Sequence, residues 1–505
     1  MTIQPSSEVQ QEPPDLLAAI DIGSNSFHMV VARVVQGEIR IMEKLGEKVQ
    51  LASGLDQDNL ITEAAQQRAL ECLQRFSERI QGMPPNAVQI VGTNTLRLAR
   101  NTREFIRRAE AVIGYPIEVI NGREEARLVY LGVAHTLADD VGRRLVVDIG
   151  GGSTEFIIGE RFETRALESM HMGCVSFRDR FFGEGHITKS QFDRAITQAS
   201  MELQVIQKAY CTLGWTSCVG SSGTIKAVAQ VVYNHALSNT GITWDALMEI
   251  KRRVLDLGHV DQLEKLGIRK ERANIFPSGL AILIAAFNVL RIERMGFSEG
   301  ALREGVLYDM IGRIKHEDVR ERTVNAMAER YCVDQSHAQA VEATALHAYQ
   351  QVAKEWGVAK SVYADLLRWA CRMHEVGLAI SHTQFHKHGA YVVRYSDLPG
   401  FTRQAQQALS VLIRAHRRKL SDLIFAEYSS EEAEPLKKLA ILLRLAVLLQ
   451  HTRSGDIPPL TISVSKKKIQ LQFESGWLDT HTLTQADLDA EAEYLSKLGY
   501  HLSFA

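Results

Sequence analysis

Two short segments of the chain carry aspartate, glycine and hydroxyl side chains at matched positions. One reads DIGSNSFH at residues 21–28, and the other reads DIGGGSTE at residues 148–155. At an offset of 127 residues (148 − 21), the aspartate, the isoleucine, the first glycine and one serine coincide, whereas His28 falls on Glu155. Glycine lets backbone N–H groups approach an anion, serine and asparagine add donors, and aspartate can hold a cation or orient water. The repeat therefore predicts two phosphate-binding turns.

A glycine-rich turn after a strand is also typical of dinucleotide-binding folds, but in those folds the turn opens a helix. Here β-branched and aromatic residues follow both turns, in FHMVVARV and in TEFIIGER, and they predict strand–turn–strand. The sequence therefore favours two tight β-hairpins bent around phosphate. Two ordinary glycine-containing hairpins are the alternative that the spacing alone leaves open.

The elements around the two turns alternate between strand and helix. LLAAIDIG predicts a strand, TEAAQQRALECLQRFSERIQ predicts a helix, and PIEVINGREEARLVYLGVAHTL predicts a strand followed by a helix that begins near Gly122. The same plan returns in RLVVDIGGGSTEFIIGER and in TSCVGSSGTIKAVAQVV. This alternation predicts an α/β sheet fold. One hairpin in each half indicates a duplicated fold that closes around a phosphate chain.

The last third of the chain has a different pattern. From about residue 318, segments such as ADLLRWACRMHEVGLAI and PLKKLAILLRLAVLLQHTR carry apolar residues at helical spacing. After Pro458 and Pro459, the segment LTISVSKKKIQLQFE alternates like a β-hairpin. The pattern predicts an α-helical module followed by a small mixed tail.

The composition limits the protein classes. A chain of 505 residues is too long for one core, and 45% apolar with 23% charged residues is typical of a globular protein. The net charge of −2 argues against a nucleic-acid coat, and the longest apolar stretch, residues 279–290, is too short to span a bilayer. Six scattered cysteines are typical of a reducing compartment. We expect a cytoplasmic protein with no membrane span and a disordered lead-in over residues 1–14.

Five blocks between residues 17 and 312 carry a family resemblance: AAIDIGSNSFHMVV, NGREEARLVYLGVAHT, VVDIGGGSTEFIIG, VGSSGTIKA and GALREGVLYDM. They resemble the exopolyphosphatase and guanosine pentaphosphate phosphohydrolase family of the actin-like phosphotransferase superfamily, and the helical remainder resembles its long bacterial members. The resemblance implies duplicated actin-like (ribonuclease H-like) α/β domains around a phosphate cleft, an α-helical HD-like module and a small α+β tail. The expected domains are residues 1–14 (lead-in), 15–135, 136–315, 316–455 and 456–505.

The resemblance also assigns the chemistry. Glu125 matches the family's catalytic glutamate and is the expected general base for water. Its neighbour Glu124 is expected to be solvent-exposed or to cap the start of a helix. Asp148 and Glu155 resemble the carboxylates associated with Mg²⁺, which prefers hard oxygen ligands. His28 cannot replace a carboxylate on Mg²⁺, so the metal is expected on the second turn.

The expected phosphate cradle consists of the two turns: Gly23, Ser24, Asn25 and Ser26 on one side, with Gly150, Gly151, Gly152 and Ser153 on the other. Arg97 resembles a family arginine along the substrate path and would neutralise a phosphate oxygen. Ser222, Gly223 and Thr224 match a loop that holds adenosine in actin-like ATPases. Here they either contact phosphate or only start a helix, and Lys226 is expected to be a surface cation.

The helical module contains RMHEVG and further histidines, and it resembles an HD phosphohydrolase module. That module needs a His-Asp doublet, whereas this chain has His374 and Glu375, and LLRLAVLLQ contains no distal aspartate. We therefore expect its histidines, including His337, His386 and His388, to be packed and hydrogen-bonded in a helical bundle rather than to bind a metal.

The segment RAHRRK concentrates positive charge in the same module. On a helix its arginines, Arg414, Arg417 and Arg418, would share one face. That face is either solvated surface or a contact for a polyanion longer than the cleft, because arginine suits phosphate oxygens. We expect Arg417 and Arg418 to bind substrate.

The first functional hypothesis is an Mg²⁺-dependent exopolyphosphatase that releases orthophosphate from inorganic polyphosphate, and the GGGST form of the second turn favours it. The alternative is hydrolysis of guanosine pentaphosphate (pppGpp) to the tetraphosphate (ppGpp). An actin-like sugar kinase is disfavoured, because Glu125 supplies a base for water and no sugar-binding segment is evident. A catalytically silent polyphosphate or alarmone sensor is disfavoured because Glu125, Asp148 and Glu155 are all present. The resemblance also implies a homodimer.

Overall fold

The computed structural model describes residues 15–35, 38–137, 142–314, 319–396, 398, 400–453 and 460–505. The expected lead-in, and the domain boundaries expected near residues 316 and 456, lie outside these residues. The chain divides into two compact units, residues 1–318 and 319–505. Among the described helices, none has the length and hydropathy required for a membrane span.

The first sheet of the first unit has five strands in the order β3-β2-β1-β4-β5. The strands are β1 (Leu16–Ile22), β2 (Phe27–Val35), β3 (Glu38–Glu47), β4 (Val88–Gly92) and β5 (Ile117–Val119). The helices of this half are α1 (Glu63–Ile80), α2 (Asn94–Leu98), α3 (Thr102–Ile113) and α4 (Gly122–Thr136). The first three strands pair antiparallel, while β4 pairs parallel with β1 and β5 pairs parallel with β4.

The second sheet of this unit has the order β10-β11-β9-β6-β7-β8. The strands are β6 (Arg143–Ile149), β7 (Thr154–Glu160), β8 (Glu163–Met170), β9 (Ser217–Ser221), β10 (Ile242–Thr243) and β11 (Arg294–Phe297). Its helices are α5 (Cys174–Phe181), α6 (Lys189–Leu213), α7 (Ser222–Asn234), α8 (Trp244–Leu257), α9 (Lys270–Ala273), α10 (Phe276–Leu290) and α11 (Leu302–Ile314). Strands β6, β7 and β8 pair antiparallel and β9 pairs parallel with β6, so the arrangement of the first sheet is repeated.

The two hairpins have the same register. Asp21 pairs with His28 across β1 and β2, and Asp148 pairs with Glu155 across β6 and β7. Cross-strand partners project from the same face of a sheet, so each pair points to one side of its hairpin. The predicted strand–turn–strand structure and the duplicated α/β fold are therefore confirmed.

One apolar cluster joins the two halves of this unit and fixes α4, the helix that carries Glu125. It includes Ala19 of β1, Val146 of β6 and residues of α4 and α11. The two helices cross with their backbones in contact, since a Cβ on Gly305 would lie 1.8 Å from the carbonyl oxygen of Leu128. The crossing holds the first turn of α4 in place between the two sheets.

The second unit is helical with a small sheet. Its helices are α12 (Val319–Arg330), α13 (Gln335–Val352), α14 (Ser361–Met373), α15 (Phe385–Tyr395), α16 (Arg403–Ala415), α17 (Ser430–Leu449), α18 (Trp477–Thr480) and α19 (Thr482–Ser496). Its strands are β12 (Leu460–Ser465), β13 (Lys468–Phe473) and β14 (His501–Phe504), in that order in the sheet. The predicted hairpin is present as β12 and β13, which pair antiparallel, and one hydrophobic core includes the inner faces of the helices and of this sheet.

Candidate active site

A cleft with a volume of about 300 Å³ lies in the first unit, where the two hairpin turns meet. The starts of α4, α7 and α11 form a further part of its wall. Most of the predicted site residues line it: Gly23, Ser24, Asn25, Ser26, Glu125, Asp148, Gly150, Gly151, Gly152, Ser153, Ser222, Gly223 and Thr224. The structure therefore brings together, in one place, predicted residues from four separate segments of the chain.

The two turns approach each other closely enough to require glycine in the second one. A Cβ on Gly151 would lie 2.9 Å from Cβ of Ser24, and a Cβ on Gly152 would lie 2.3 Å from Oδ1 of Asn94. The Oγ of Ser24 accepts a 2.8 Å hydrogen bond from Thr95, which holds the first turn against α2. Backbone amides of both turns can therefore face one anion.

Two aspartates occupy equivalent positions at the ends of β1 and β6. Burial, partly offset by Arg303, raises the pKa of Asp21 from 3.8 to about 7. Burial also raises the pKa of Asp148 to about 6, although the Ser221 hydroxyl lowers it. The Oδ1 atom of Asp21 is buried without a hydrogen-bond partner. Two carboxylates in one cleft, one of them with an orphaned oxygen, are a donor set that suits a hard divalent cation such as Mg²⁺.

Glu155 lies behind Asp148 and is only 1% exposed, so it does not line the cleft. Its Oε1 accepts a 2.9 Å hydrogen bond from Ser169. Burial and the nearby charges of Glu125 and Asp148 hold its pKa well above the usual range of a glutamate. A divalent cation near Asp148 would relieve this concentration of negative charge, and the predicted pairing of Asp148 and Glu155 on Mg²⁺ stays a prediction.

Glu125 lies in the first turn of α4, which begins after the N-cap Asn121. Its Oε2 accepts a 2.8 Å hydrogen bond from Nη1 of Arg97, which also donates to the carbonyl of Ile120 at 3.0 Å. Arg97 therefore orients the carboxylate of Glu125 and does not line the cleft. Its predicted contact with a phosphate oxygen stays a prediction.

The expectation for Glu124 was wrong. Its side chain is 3% exposed and makes two hydrogen bonds to Arg127, at 2.8 and 2.7 Å. Arg127 also donates to Asp309 of α11 at 2.6 Å. This buried ion-pair network ties α4 to α11, and the capping oxygen comes instead from Asn121, which accepts from the backbone N–H of Glu124.

Two arginines that the sequence analysis missed line the cleft. The Arg272 guanidinium lies over Gly223, where a Cβ would be 1.8 Å from Nη2. Arg303 lies in the first turn of α11 and lowers the pKa of Asp21. The sequence could have identified Arg303 as a site residue, because it belongs to the block GALREGVLYDM. No sequence motif surrounds Arg272.

The start of α7 both lines the cleft and begins a helix. Ser222 has a left-handed backbone, with φ +82°, a conformation that a residue with a side chain rarely adopts. Lys226 is an exposed cation, as expected, and it also lines the cleft and forms a 2.6 Å ion pair with Glu299. His28 is neutral at physiological pH, because burial lowers its pKa to about 3.

The arrangement predicted for Arg417 and Arg418 was wrong. Helix α16 ends at Ala415, and Arg418 has φ +63°, so the arginines after it do not share a helix face with Arg414. All three nevertheless line one cavity of the second unit, together with Lys387. Their predicted role in binding substrate stays a prediction.

Known proteins resemble this chain over nearly its whole length. The model of the Ppx/GppA phosphatase family matches residues 30–314, and that of Ppx/GppA phosphatase domain III matches residues 319–492. A guanosine-5'-triphosphate,3'-diphosphate pyrophosphatase of Aeromonas hydrophila is 40% identical over 96% of this chain and 98% of its own. The enzyme of that name from Vibrio cholerae is 41% identical over 97% of this chain and 98% of its own. The crystal structure of an exopolyphosphatase from Cytophaga hutchinsonii is 25% identical, with a TM-score of 0.54, and covers 59% of this chain and 98% of its own.

The two sheets repeat one topology, and each contributes a glycine-rich turn to the same cleft. This arrangement defines an α/β protein of the actin-like fold. The matches to known proteins make it a hydrolase of phosphoanhydride bonds. The chain belongs to the Ppx/GppA phosphatase family.

Proposed function

We propose that this chain hydrolyses the terminal phosphoanhydride bond of pppGpp, releasing orthophosphate and leaving ppGpp. The observation that carries the substrate is the similarity, at 40–41% identity and over nearly the full chain, to enzymes named for guanosine 5'-triphosphate 3'-diphosphate. The sequence alone put inorganic polyphosphate first, and this similarity reverses the order.

The reaction type is supported by the geometry around Glu125. Its carboxylate lines the cleft, is 9% exposed and is held by Arg97 at 2.8 Å. In the proposed reaction Glu125 takes a proton from water as the water oxygen forms a bond to the terminal phosphorus. The bond from that phosphorus to its bridging oxygen breaks, and the leaving phosphate keeps the electron pair.

The hairpin turns would bind the non-bridging oxygens of the terminal phosphates. Their backbone N–H groups, with the hydroxyls of Ser24 and Ser153, are donors that stabilise negative charge in a site partly closed to water. Arg272 and Arg303 add two permanent positive charges to the cleft wall. Together these groups neutralise charge that moves toward the leaving phosphate in the transition state.

A divalent cation fits beside Asp148 and Asp21, with Glu155 behind them. When bound, Mg²⁺ would supply positive charge that offsets the negative charge of the phosphates. The chain contributes the carboxylates that hold it, and their raised pKa values make metal and protons compete for the same oxygens.

Inorganic polyphosphate is the second candidate substrate, and the cavity of the second unit favours it. That cavity is about 590 Å³, and Arg414, Arg417, Arg418, Lys387 and Lys419 line it without any carboxylate among its described lining residues. Such a surface would bind a polyanion. The expected homodimer and cytoplasmic location stay predictions.

The deciding experiment measures phosphate release from pppGpp and from long-chain polyphosphate side by side, with Mg²⁺ and with a chelator. We expect a higher kcat/KM for pppGpp and no release when the metal is chelated. Glu125→Gln is the blank that excludes a contaminating phosphatase. A higher kcat/KM for long-chain polyphosphate would replace the proposed substrate, and release from neither would contradict the proposed function.

A further inference from the structure

Three potential ligand groups for a metal ion lie together in the second unit, remote in sequence from the residues of the cleft. They are His337 on α13 with His374 and Glu375 just after α14, and one ligand atom of each lies within 4.8 Å of the other two. Each of the three residues is at most 6% exposed. The cluster is a buried group of two imidazoles and one carboxylate.

The ring of His374 is oriented as a metal ligand would be. Its Nδ1 lies 2.7 Å from the carbonyl oxygen of Cys371. A carbonyl can only accept, so Nδ1 carries the proton, and Nε2 of the neutral ring keeps a free lone pair. That Nε2 is buried without a hydrogen-bond partner. A histidine that donates one ring N–H to a backbone carbonyl and directs the other nitrogen at a metal is the usual arrangement in metal sites.

The other two groups are positioned from different sides. Nε2 of His337 lies 3.9 Å from Oε1 of Glu375, and its Nδ1 is buried without a partner. Oε1 of Glu375 accepts a 2.6 Å hydrogen bond from Arg453, which also pairs with Asp334. This contact fixes the carboxylate and occupies one of its two oxygens. The expected bundle of hydrogen-bonded histidines is therefore only partly correct.

A metal ion requires these three groups to move closer together. With bonds of about 2.0–2.2 Å and tetrahedral angles, two ligand atoms lie about 3.3–3.6 Å apart. The present limit of 4.8 Å exceeds that by about 1.2–1.5 Å, which rotation of the three side chains can supply. Nitrogen from two imidazoles selects Zn²⁺, Co²⁺ or Ni²⁺ over Mg²⁺ and Ca²⁺, which prefer all-oxygen sites.

We propose that His337, His374 and Glu375 bind one divalent transition-metal ion, with Zn²⁺ as the model. Three protein ligands leave a coordination position open for water or another ligand. His416 lies beside the site, with its ring centroid 5.4 Å from that of His374, but it is not part of the three-residue set. The proposal is independent of the hydrolysis proposed for the first unit.

The test uses the full chain, stripped of metal and then titrated with Co²⁺ in excess Mg²⁺, which saturates oxygen-only sites. Co²⁺ bound by imidazole nitrogen absorbs visible light, and Zn²⁺ should abolish the band by displacing it. We expect one equivalent of bound Co²⁺ in the wild-type chain. His337→Gln and His374→Gln should each weaken binding at least tenfold. His347→Gln, which changes an exposed histidine of the same helix α13, is the matched control and should bind as the wild type does.

Folding of each variant is checked by circular dichroism without metal. If a histidine variant does not fold, anomalous scattering at the cobalt edge from wild-type crystals locates the ion directly. A peak bounded by His337, His374 and Glu375 supports the proposal. It is overturned by no stoichiometric Co²⁺ in the wild-type chain, by a peak elsewhere, or by equal loss of binding in His347→Gln.

Discussion

Glu125 combines two properties that a general base needs, access to the cleft and a fixed orientation. The hydrogen bond from Arg97 holds the carboxylate in one orientation, and the N-cap at Asn121 fixes the helix turn from which it projects. Neighbouring Glu124 also has a fixed orientation but no access to the cleft, since both of its carboxylate oxygens accept hydrogen bonds from Arg127. Two consecutive glutamates of α4 thus have different roles: Glu125 is the candidate base, and Glu124 forms a structural ion pair.

We predict that Glu125→Gln lowers kcat by about 10²–10⁴-fold, because positioned proton transfer contributes about that much. Substrate binding should change little, since the amide keeps the shape of the side chain. The measurement is steady-state phosphate release from pppGpp, with binding followed separately by calorimetry. Glu78→Gln, on the exposed side of α1, is the control for loss of one negative charge. A Glu125→Gln enzyme with more than about a tenth of wild-type kcat would remove the assignment.

Arg97→Ala tests whether this arginine orients Glu125 or contacts phosphate. A hydrogen bond to a charged group contributes about 1.5–3 kcal/mol, equivalent to about tenfold or more in rate. We therefore expect kcat on pppGpp to fall about tenfold or more while KM stays within about twofold. A raised KM with unchanged kcat would instead support the phosphate contact that the sequence resemblance implies.

Mg²⁺ binding should depend on pH through the buried aspartates. Burial raises the pKa of Asp148 to about 6 and that of Asp21 to about 7, so protons occupy these carboxylates as pH falls through 7 and 6. Because Mg²⁺ binds only the ionised form, its apparent affinity should rise between pH 5.5 and 7.5. Calorimetric titration should show this rise in the wild-type chain and much weaker binding at both pH values in Asp148→Asn. Equal affinity at the two pH values would contradict the placement of the ion.

Residue-level prediction succeeded where the signal was local. The turn residues are consecutive in sequence, so their types and spacing were enough to place them together. The burial of Glu124 depends on an arginine that also binds Asp309, 182 residues away from it, and the position of Arg272 depends on packing against Gly223. Contacts of that range leave no pattern in one sequence.

At the scale of elements, the hairpins were predictable and the end of α16 was not. β-branched residues after a glycine turn specify strand–turn–strand by local chemistry. Helical periodicity, by contrast, continues through RAHRRK. The helix stops because the buried Arg444 of α17 donates to the carbonyls of Ala415 at 2.6 Å and Arg418 at 2.9 Å. These bonds satisfy carbonyl groups at the end of the helix from another element.

The contact between the second hairpin turn and α2 gives a prediction for Gly152. A methyl group there would meet Oδ1 of Asn94 at 2.3 Å and Cγ at 2.8 Å, so the turn, α2 or the Asn94 side chain must shift. We expect Gly152→Ala to lower kcat and to reduce the free energy of unfolding by about 1–3 kcal/mol. Chemical denaturation and phosphate release measure the two effects. Gly183→Ala, whose new methyl group would meet nothing closer than 3.5 Å, should change neither. Full activity in Gly152→Ala would show that the second turn and α2 need not approach so closely.

At the scale of the whole molecule, the two units present different charge. The cleft of the first unit mixes carboxylates with arginines, which suits a metal ion bound beside a few phosphates. The cavity of the second unit has cationic and neutral lining residues only, within the described chain. The charged groups of the cleft can neutralise a short substrate. A long polyanion carries more charge than the cleft can neutralise.

This difference predicts a substrate-dependent effect of Arg417→Ala combined with Arg418→Ala. The guanidinium of Arg417 lies 4.5 Å from the ring centroid of Phe385, so its charge is held in place, and Arg418 is exposed. Losing the contacts of both arginines with polyphosphate should raise KM for the long chain about five- to thirtyfold, the equivalent of one or two kcal/mol. The effect should shrink with added salt, which screens exposed charges. Hydrolysis of pppGpp should stay within about twofold. The matched control is Arg330→Ala with Lys354→Ala, two exposed cations of the same unit. Equal losses on both substrates would indicate misfolding or a role in the reaction itself, and an unchanged KM for the long chain would leave the cationic cavity without a part in substrate binding.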